Sequence, residues 1–309
     1  MRLVTRSDFD GLACAALLKE AGLIDSYQFA HPKDIQEGLV EITSQDILAN
    51  VPYVPGCGMW FDHHTSEGER LGAISYRGMS RVAPSCARVI YDYLGGASRY
   101  PEHWNPMMEA VDKVDSANLT KAEIENPSDW ILIGFMMDPR TGLGRFRDFR
   151  ISNYQLMLDL IECCRTMTAS EILRLPDVKE RVDLYFEQEA LFRNMLQRCT
   201  RMVGEVLVID FLKEECIYSG NRFLVYTLFP DCKVSIHVTW GKEKQNVVLA
   251  MGNSILNRTS RANLGSVALH FGGGGHETVA TCQVAAHEVD HVLETVINYI
   301  HEENQAFQP

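Results

Sequence analysis

A chain of 309 residues, 46% hydrophobic and 23% charged, has the length of about two ordinary domains and the composition of a globular protein. Its 22 Gly and 11 Pro are scattered, no apolar run reaches the roughly 18 residues of a membrane span, and Met1–Arg6 lacks the apolar stretch of a signal peptide. Fibrous and disordered classes are therefore excluded, a cytoplasmic protein is expected, and the net charge of −12 argues against long duplex DNA, which is held by Lys and Arg on phosphate.

In chain order, a strand is predicted at Met1–Arg6, then Asp8-Phe9-Asp10-Gly11, then a helix over Leu12–Leu18. Further strands follow at Ser26–Ala30, near Ile42–Leu48 and at Gly58–Phe61, the last ending in Asp62-His63-His64. Helical patterns cover Ser85–Leu94 and Pro106–Val114. Strands alternating with helices predict a parallel α/β sheet, and open sheets of that kind place ligands past their strand ends. From Asn153 to about Cys199 the pattern is helical throughout. Beyond it Val203–Asp210, Phe223–Phe229, Lys233–Trp240 and Gln245–Met251 read as strands. Helices at Leu264–Phe271 and His287–Glu303 flank one more strand, Thr278–Val284. The texture changes near residue 200, which sets the boundary between two domains.

The nine cysteines are odd in number and form no CxxC pair, so they read as reduced thiols. Chemistry concentrates elsewhere. Asp8 and Asp10 leave a strand two residues apart, so both carboxylates can face one divalent cation; an Asp at this place can equally cap the helix. Asp62-His63-His64 follows apolar Trp60 and Phe61, and carboxylate with imidazole suits Mn²⁺, Fe²⁺, Zn²⁺ or Co²⁺. Asp46 alone is an ordinary turn Asp. Asp112 and Asp115 lie three apart and can share a helix face, and the small Ser116 and Ala117 after Asp115 favour it as the ligand. Gly272–Gly275 before His276 can offer successive N–H groups as an anion nest, and Asn257 to Arg261 add donors upstream.

These pieces together resemble the DHH phosphoesterase family. Asp8-Phe9-Asp10-Gly11 looks like its first motif, Asp46 its second, Asp62-His63-His64 the motif that names it, and Asp115 its fourth. Gly272–His276 looks like the GGGH signature of the DHHA1 domain. Both sets stand in family order, and the chain is most similar to exopolyphosphatase-like or nanoRNase-like members. The resemblance implies an α/β chain: a parallel-sheet DHH metal-binding catalytic domain (residues 1–185), a helical linker (186–202) and a smaller α/β DHHA1 substrate-binding domain (203–309), with a cleft between the domains. It implies one or two Mn²⁺, or other divalent ions, on Asp8, Asp10, Asp46, His63 and Asp115, with Asp46 bridging. Asp62 would orient His63, and His64 would face the substrate. Arg258, Gly273, Gly274, Gly275 and His276 would hold the remainder.

One departure stands out. Family members carry a His a few residues before the first-motif Asp, whereas here Val4, Thr5 and Arg6 precede Ser7-Asp8. One metal is then held less tightly, or replaced in part by water or by the charge of Arg6. The implied activity is a metal-dependent phosphoesterase acting on a small phosphorylated substrate: a short oligonucleotide, 3′-phosphoadenosine phosphate or polyphosphate. The alternatives are a cyclic-dinucleotide phosphodiesterase and a nucleotide- or phosphate-binding regulator with a degenerate site. Neither a membrane nor long duplex DNA is expected as partner. Two further patterns carry less. His287-Glu288-Val289-Asp290-His291 matches HExxH, but no third ligand follows, and a solvated helix face is the better account. Arg140, Arg145, Arg147 and Arg150 read as a solvated loop that can steer an anion.

Overall fold

Short apolar runs closed by turn residues build a parallel sheet in the first half of the chain. The computed structural model describes residues 1–64, 74–141 and 143–306, the side chains of Arg140 and Arg145 excepted, so those two arginines of the steering loop lie outside the described residues. The chain divides into two units, Met1–Leu119 with Asn126–Phe186, and Thr120–Glu125 with Glu187–Pro309. In the first unit the elements run β1 (Arg2–Thr5), α1 (Phe9–Glu20), β2 (Ser26–Phe29), α2 (Pro32–Gln36), β3 (Asp46–Ala49), β4 (Met59–Asp62) and β5 (Gly78–Ser80). After them come α3 (Cys86–Tyr93) and α4 (Asn105–Asp115). A short α5 (Lys121–Glu125) belongs to the second unit. Helices α6 (Asp129–Met137), α7 (Asn153–Thr166) and α8 (Ala169–Ile172) follow, and α9 (Pro176–Cys199) runs from the first unit into the second.

All pairs of the first sheet are parallel, in the order β2-β1-β3-β4-β5. The register sets Thr5 beside Ala49 and Ala49 beside Phe61, so the carboxyl ends of β1, β3 and β4 are level. Helix α1 is buried continuously from Phe9 to Leu18. Its small residues Ala13, Cys14, Ala15 and Ala16 let α3 and α7 approach, while Leu12, Leu17 and Leu18 fill the core. Each such leucine contributes about 1.5–3 kcal/mol relative to exposure. Gly11 is required by close approach: a Cβ there would stand 2.0 Å from the Arg6 carbonyl oxygen.

The second unit carries β6 (Thr200–Val203), β7 (Val206–Asp210), α10 (Leu224–Leu228), β8 (Val234–Trp240), β9 (Val247–Asn253), α11 (Leu264–His270), β10 (Gly274–Gly275), β11 (Val279–Val284) and α12 (Val289–Gln305). Its mixed sheet has the order β10-β11-β9-β8-β7-β6, and only β7 and β8 run parallel. That pair corrects one expectation: residues 223–229, read as a strand, form the helix α10. A parallel pair cannot be joined by a hairpin and needs a crossover, which the segment between β7 and β8 supplies. The run Leu224 to Thr227 is buried throughout, and a short continuous apolar run has no period that separates strand from helix. Along β11 exposed and buried residues alternate, with Ala280, Cys282 and Val284 facing the core shared with α11 and α12. No described helix is long and apolar enough to cross a membrane.

Candidate metal centre

The chain leaves β1 through Arg6 and Ser7 and enters α1 at Asp8. Asp8 Oδ1 accepts the Gly11 N–H at 2.9 Å and caps the helix, and Asp8 Oδ2 pairs with Arg6 Nε at 3.0 Å. Asp10, one turn in, points into the protein. Its oxygens accept the N–H groups of Cys86 (2.9 Å) and Ala87 (2.8 Å), the first turn of α3. Those orphan donors and the helix dipole favour a carboxylate there. Burial outweighs them and, with Asp8 nearby, pushes Asp10 up to about 7.

Past β4, His63 Nδ1 lies 3.2 Å from the Ala83 carbonyl oxygen. A donated Nδ1–H there leaves the Nε2 lone pair free, and Nε2 stands 3.3 Å from Asp115 Oδ2 and 3.9 Å from Asp10 Oδ2. Nε2 is buried and, among the described residues, has no hydrogen-bond partner. Asp115 closes α4; burial and the Asp10 carboxylate raise it, and His63 opposes the shift. Asp112, the other candidate on that helix, is consumed by Arg88 (2.9 and 2.7 Å) and by Ser85 Oγ (2.7 Å). Among the described residues, Asp10, His63 and Asp115 bring ligand atoms within 4.8 Å of one another. Two carboxylates starved of positive charge and an imidazole nitrogen aimed at them with no partner fit one divalent cation.

Three expectations need correction. Asp46 cannot bridge metals at this centre. It opens β3, level with Arg2, at the amino end of the sheet, while the centre lies at the carboxyl end. Arg2 holds it through two hydrogen bonds (2.6 and 2.9 Å), and Thr43 adds its N–H (2.6 Å) and hydroxyl (3.1 Å). Burial opposes the change, but these partners keep Asp46 below the ordinary carboxylate value. Secondly, Asp62 orients His64 rather than His63: Asp62 Oδ1 meets His64 Nδ1 at 2.9 Å, and Ala83 takes the His63 contact. That hydrogen bond raises His64 above its ordinary pKa, against burial. Thirdly, the glycine run is not a row of free amides. The N–H groups of Gly272, Gly273 and His276 donate to Leu269, Ala268 and Val279 carbonyls, and Gly274 and Gly275 pair with β11. Glycine is needed because a Cβ at 273 or 275 would stand 2.2 or 2.3 Å from a β11-side carbonyl oxygen.

Sequence reasoning missed Asn50. It follows β3 at the carboxyl end with a left-handed φ of 56°, donates its N–H to the Phe61 carbonyl (3.1 Å) and is 1% exposed. Among the described residues neither polar side-chain atom has a hydrogen-bond partner. Its signal was its place, a polar residue ending the apolar run Ile47 to Ala49. In the second unit, Arg258 Nε donates to the Ile255 carbonyl at 2.9 Å, and the His276 side chain is exposed. The HExxH pattern fails on geometry. Helix α12 starts at Val289, so His287 and Glu288 precede it and the two imidazoles do not share successive turns.

An open parallel α/β sheet that gathers two carboxylates and an imidazole past its carboxyl ends has a candidate metal centre where sheets of this kind bind their ligands. No protein-family model and no curated protein sequence matches the chain. Solved structures do. A pGpG-specific phosphodiesterase, PggH of Vibrio cholerae, shares 49% identity over 98% of this chain and 99% of its own, with a TM-score of 0.86. RecJ from Thermus thermophilus, in complex with Mn²⁺, is similar over 97% of this chain and 52% of its own at 13% identity and a TM-score of 0.54. An exopolyphosphatase-related protein from Bacteroides fragilis covers 99% of this chain and 92% of its own at 13% identity and a TM-score of 0.51. The last two show the fold alone. The chain belongs to the DHH phosphoesterase family, with the parallel-sheet DHH domain first and the smaller mixed-sheet DHHA1 domain second.

Proposed function

We propose that this phosphoesterase is a Mn²⁺-dependent cytoplasmic phosphodiesterase that hydrolyses a short, linear, phosphorylated dinucleotide of the pGpG kind. The observation that carries the reading is the 49% identity to PggH across nearly the whole of both chains. Asp10, His63 and Asp115 are assigned as metal ligands. These three residues would hold a divalent cation, which would supply activation of water and withdrawal of charge from the phosphoryl oxygens. His64, raised in pKa and held by Asp62, keeps a proton for the departing oxygen. Water adds to phosphorus, the P–O3′ bond breaks, and two nucleoside monophosphates leave. Asp62 fixes the tautomer and orientation of His64 and does not itself exchange the proton. Arg258, His276 and Gly273 to Gly275 are assigned to substrate binding on the strength of the GGGH-like signature. With most glycine amides already bonded, the recognition rests on the Arg258 and His276 side chains.

The test is product analysis on the purified protein with Mn²⁺, against pGpG, a longer oligonucleotide, a cyclic dinucleotide, polyphosphate and bis-p-nitrophenyl phosphate. The expected result is fastest turnover of pGpG to two monophosphates and loss of that turnover with chelator. Faster cleavage of the cyclic substrate would replace this reading by the cyclic-dinucleotide one. Binding without turnover of any ester would make the chain a nucleotide-binding regulator.

A further inference from the structure

Positive charge is distributed unevenly around the centre. Asp10 and Asp115, with neutral His63, are two anions and balance one dication. Among the described residues only Asp10, His63 and Asp115 bring ligand atoms within 4.8 Å of one another; of the other carboxylates at this end, Asp62 spends Oδ1 on His64, and Asp138 lines the same small cavity as Asp8, Asp10 and Asp115. Asp8 has one oxygen on the Gly11 N–H and the other on Arg6, so its charge is already matched. Asn50, the side chain that β3 delivers to this end, is a neutral amide, and Asp46 is tied to Arg2 at the other end. Arg6 itself is partly exposed, 34% by side chain, and uses Nε on Asp8. Among the described residues its Nη groups have no acceptor.

We propose that the centre holds a single divalent cation on Asp10, His63 and Asp115, and that the Arg6 guanidinium, anchored by Asp8, stands in for a second cation by binding a phosphoryl oxygen of the substrate. A guanidinium is always charged and presents parallel N–H donors that match phosphate geometry, so it supplies fixed charge without needing ligands. Asp8 becomes a positioning residue for Arg6 rather than a metal ligand. This inference rests on the reading of Asp10, His63 and Asp115 as a metal centre but not on the identity of the substrate.

The experiment counts ions without substrate. Metal-stripped protein is titrated with Mn²⁺ by calorimetry, and the loaded protein is examined by electron paramagnetic resonance. One equivalent and the spectrum of an isolated ion are expected; two equivalents, or an exchange-coupled pair, overturn the proposal. Asp8→Asn keeps a good helix cap, so the fold is preserved, and should leave the Mn²⁺ dissociation constant within about threefold. Asp115→Asn should weaken it more than tenfold. A tenfold loss in Asp8→Asn would make Asp8 a ligand and refute the charge assignment. In kinetics on bis-p-nitrophenyl phosphate, a generic ester, Arg6→Ala should lower kcat by about 100-fold and Arg6→Lys should recover about a tenth of the wild-type rate. Unchanged kcat in Arg6→Ala overturns the role of Arg6. No Mn²⁺ binding in the wild type refutes the metal centre as a whole, a different outcome from a count of two.

Discussion

Burying Asp10 between the first turn of α3 and the other carboxylates has a cost that the metal-free protein must bear. Its pKa is pushed from about 3.8 to about 7, chiefly by burial and then by Asp8. At about 1.36 kcal/mol per pH unit, ionising Asp10 in the folded, metal-free chain costs on the order of 4 kcal/mol relative to the unfolded chain. The sign follows from proton counting. Between pH 4 and 7 the folded state binds more protons than the unfolded one, so metal-free stability falls as pH rises and levels off above 7. From pH 5 to pH 8 the Asp10 share of that fall is about 3 kcal/mol. Asp10→Asn resembles the protonated acid in shape and stays neutral at every pH. With chelator present, the variant should match the wild type at pH 5 to within about 1 kcal/mol and exceed it at pH 8 by about 2 kcal/mol. The smaller figure allows for one α3 amide left facing an NH₂ group. Urea unfolding followed by tryptophan fluorescence reports it, since Trp60, Trp104 and Trp130 all lie in the first unit. In excess Mn²⁺ the order should invert, because the cation binds the wild-type folded state and stabilises it by mass action. A variant that keeps the wild-type pH slope in chelator, or is less stable than wild type at pH 8, would refute the idea that the centre is short of positive charge.

Asp46→Ala should cost about 1–3 kcal/mol of stability by stranding Arg2, yet leave kcat/KM and Mn²⁺ affinity within about twofold of wild type; a large loss of metal binding would return Asp46 to the centre. His276→Ala should lower kcat/KM on pGpG strongly and on bis-p-nitrophenyl phosphate hardly at all, and equal losses on both esters would mean that His276 acts on folding or on the metal. Gly275→Ala places a Cβ 2.3 Å from the Val279 carbonyl oxygen at a φ of 153°, so the second unit should lose about 2 kcal/mol or more, read from the Trp240 transition, and an unchanged midpoint would show that β10 gives way freely.

The parallel sheet was legible because each of its strands is a short apolar run closed by polar residues, and the order of runs and helices leaves few topologies open. The second unit was less so. Leu224 to Leu228 carries no charge and no breaker, and its helical state is imposed by where β7 and β8 must lie, side by side and parallel, rather than by the five residues themselves. The glycine run misled for a related reason. Sequence shows that four Cβ atoms are missing but not what would collide with them, and at 273 and 275 the colliding atoms belong to β11.

At the centre, what could be read was what adjacency encodes. Asp8 and Asp10 share one turn into α1, and Asp62, His63 and His64 share one exit from β4, so their chemistry is local. What adjacency cannot encode is which end of a strand faces the site. Asp46 and Asn50 flank the same strand four residues apart, and both are buried. In a parallel sheet only the residue at the carboxyl end can reach ligands presented by neighbouring strands, which selects the neutral amide over the carboxylate. That selection has a chemical consequence. A carboxylate after β3 would add a third anion beside Asp10 and Asp115 and call for a second dication. An amide adds none, and Asp8 is already matched by Arg6 across 3.0 Å. The absence of a His before Asp8, the amide after β3 and the arginine after β1 are three separate positions in the sequence, and under the proposed single-ion centre they would lower the demand for metal at one place. They therefore read as one change in how the site carries its positive charge rather than as three defects.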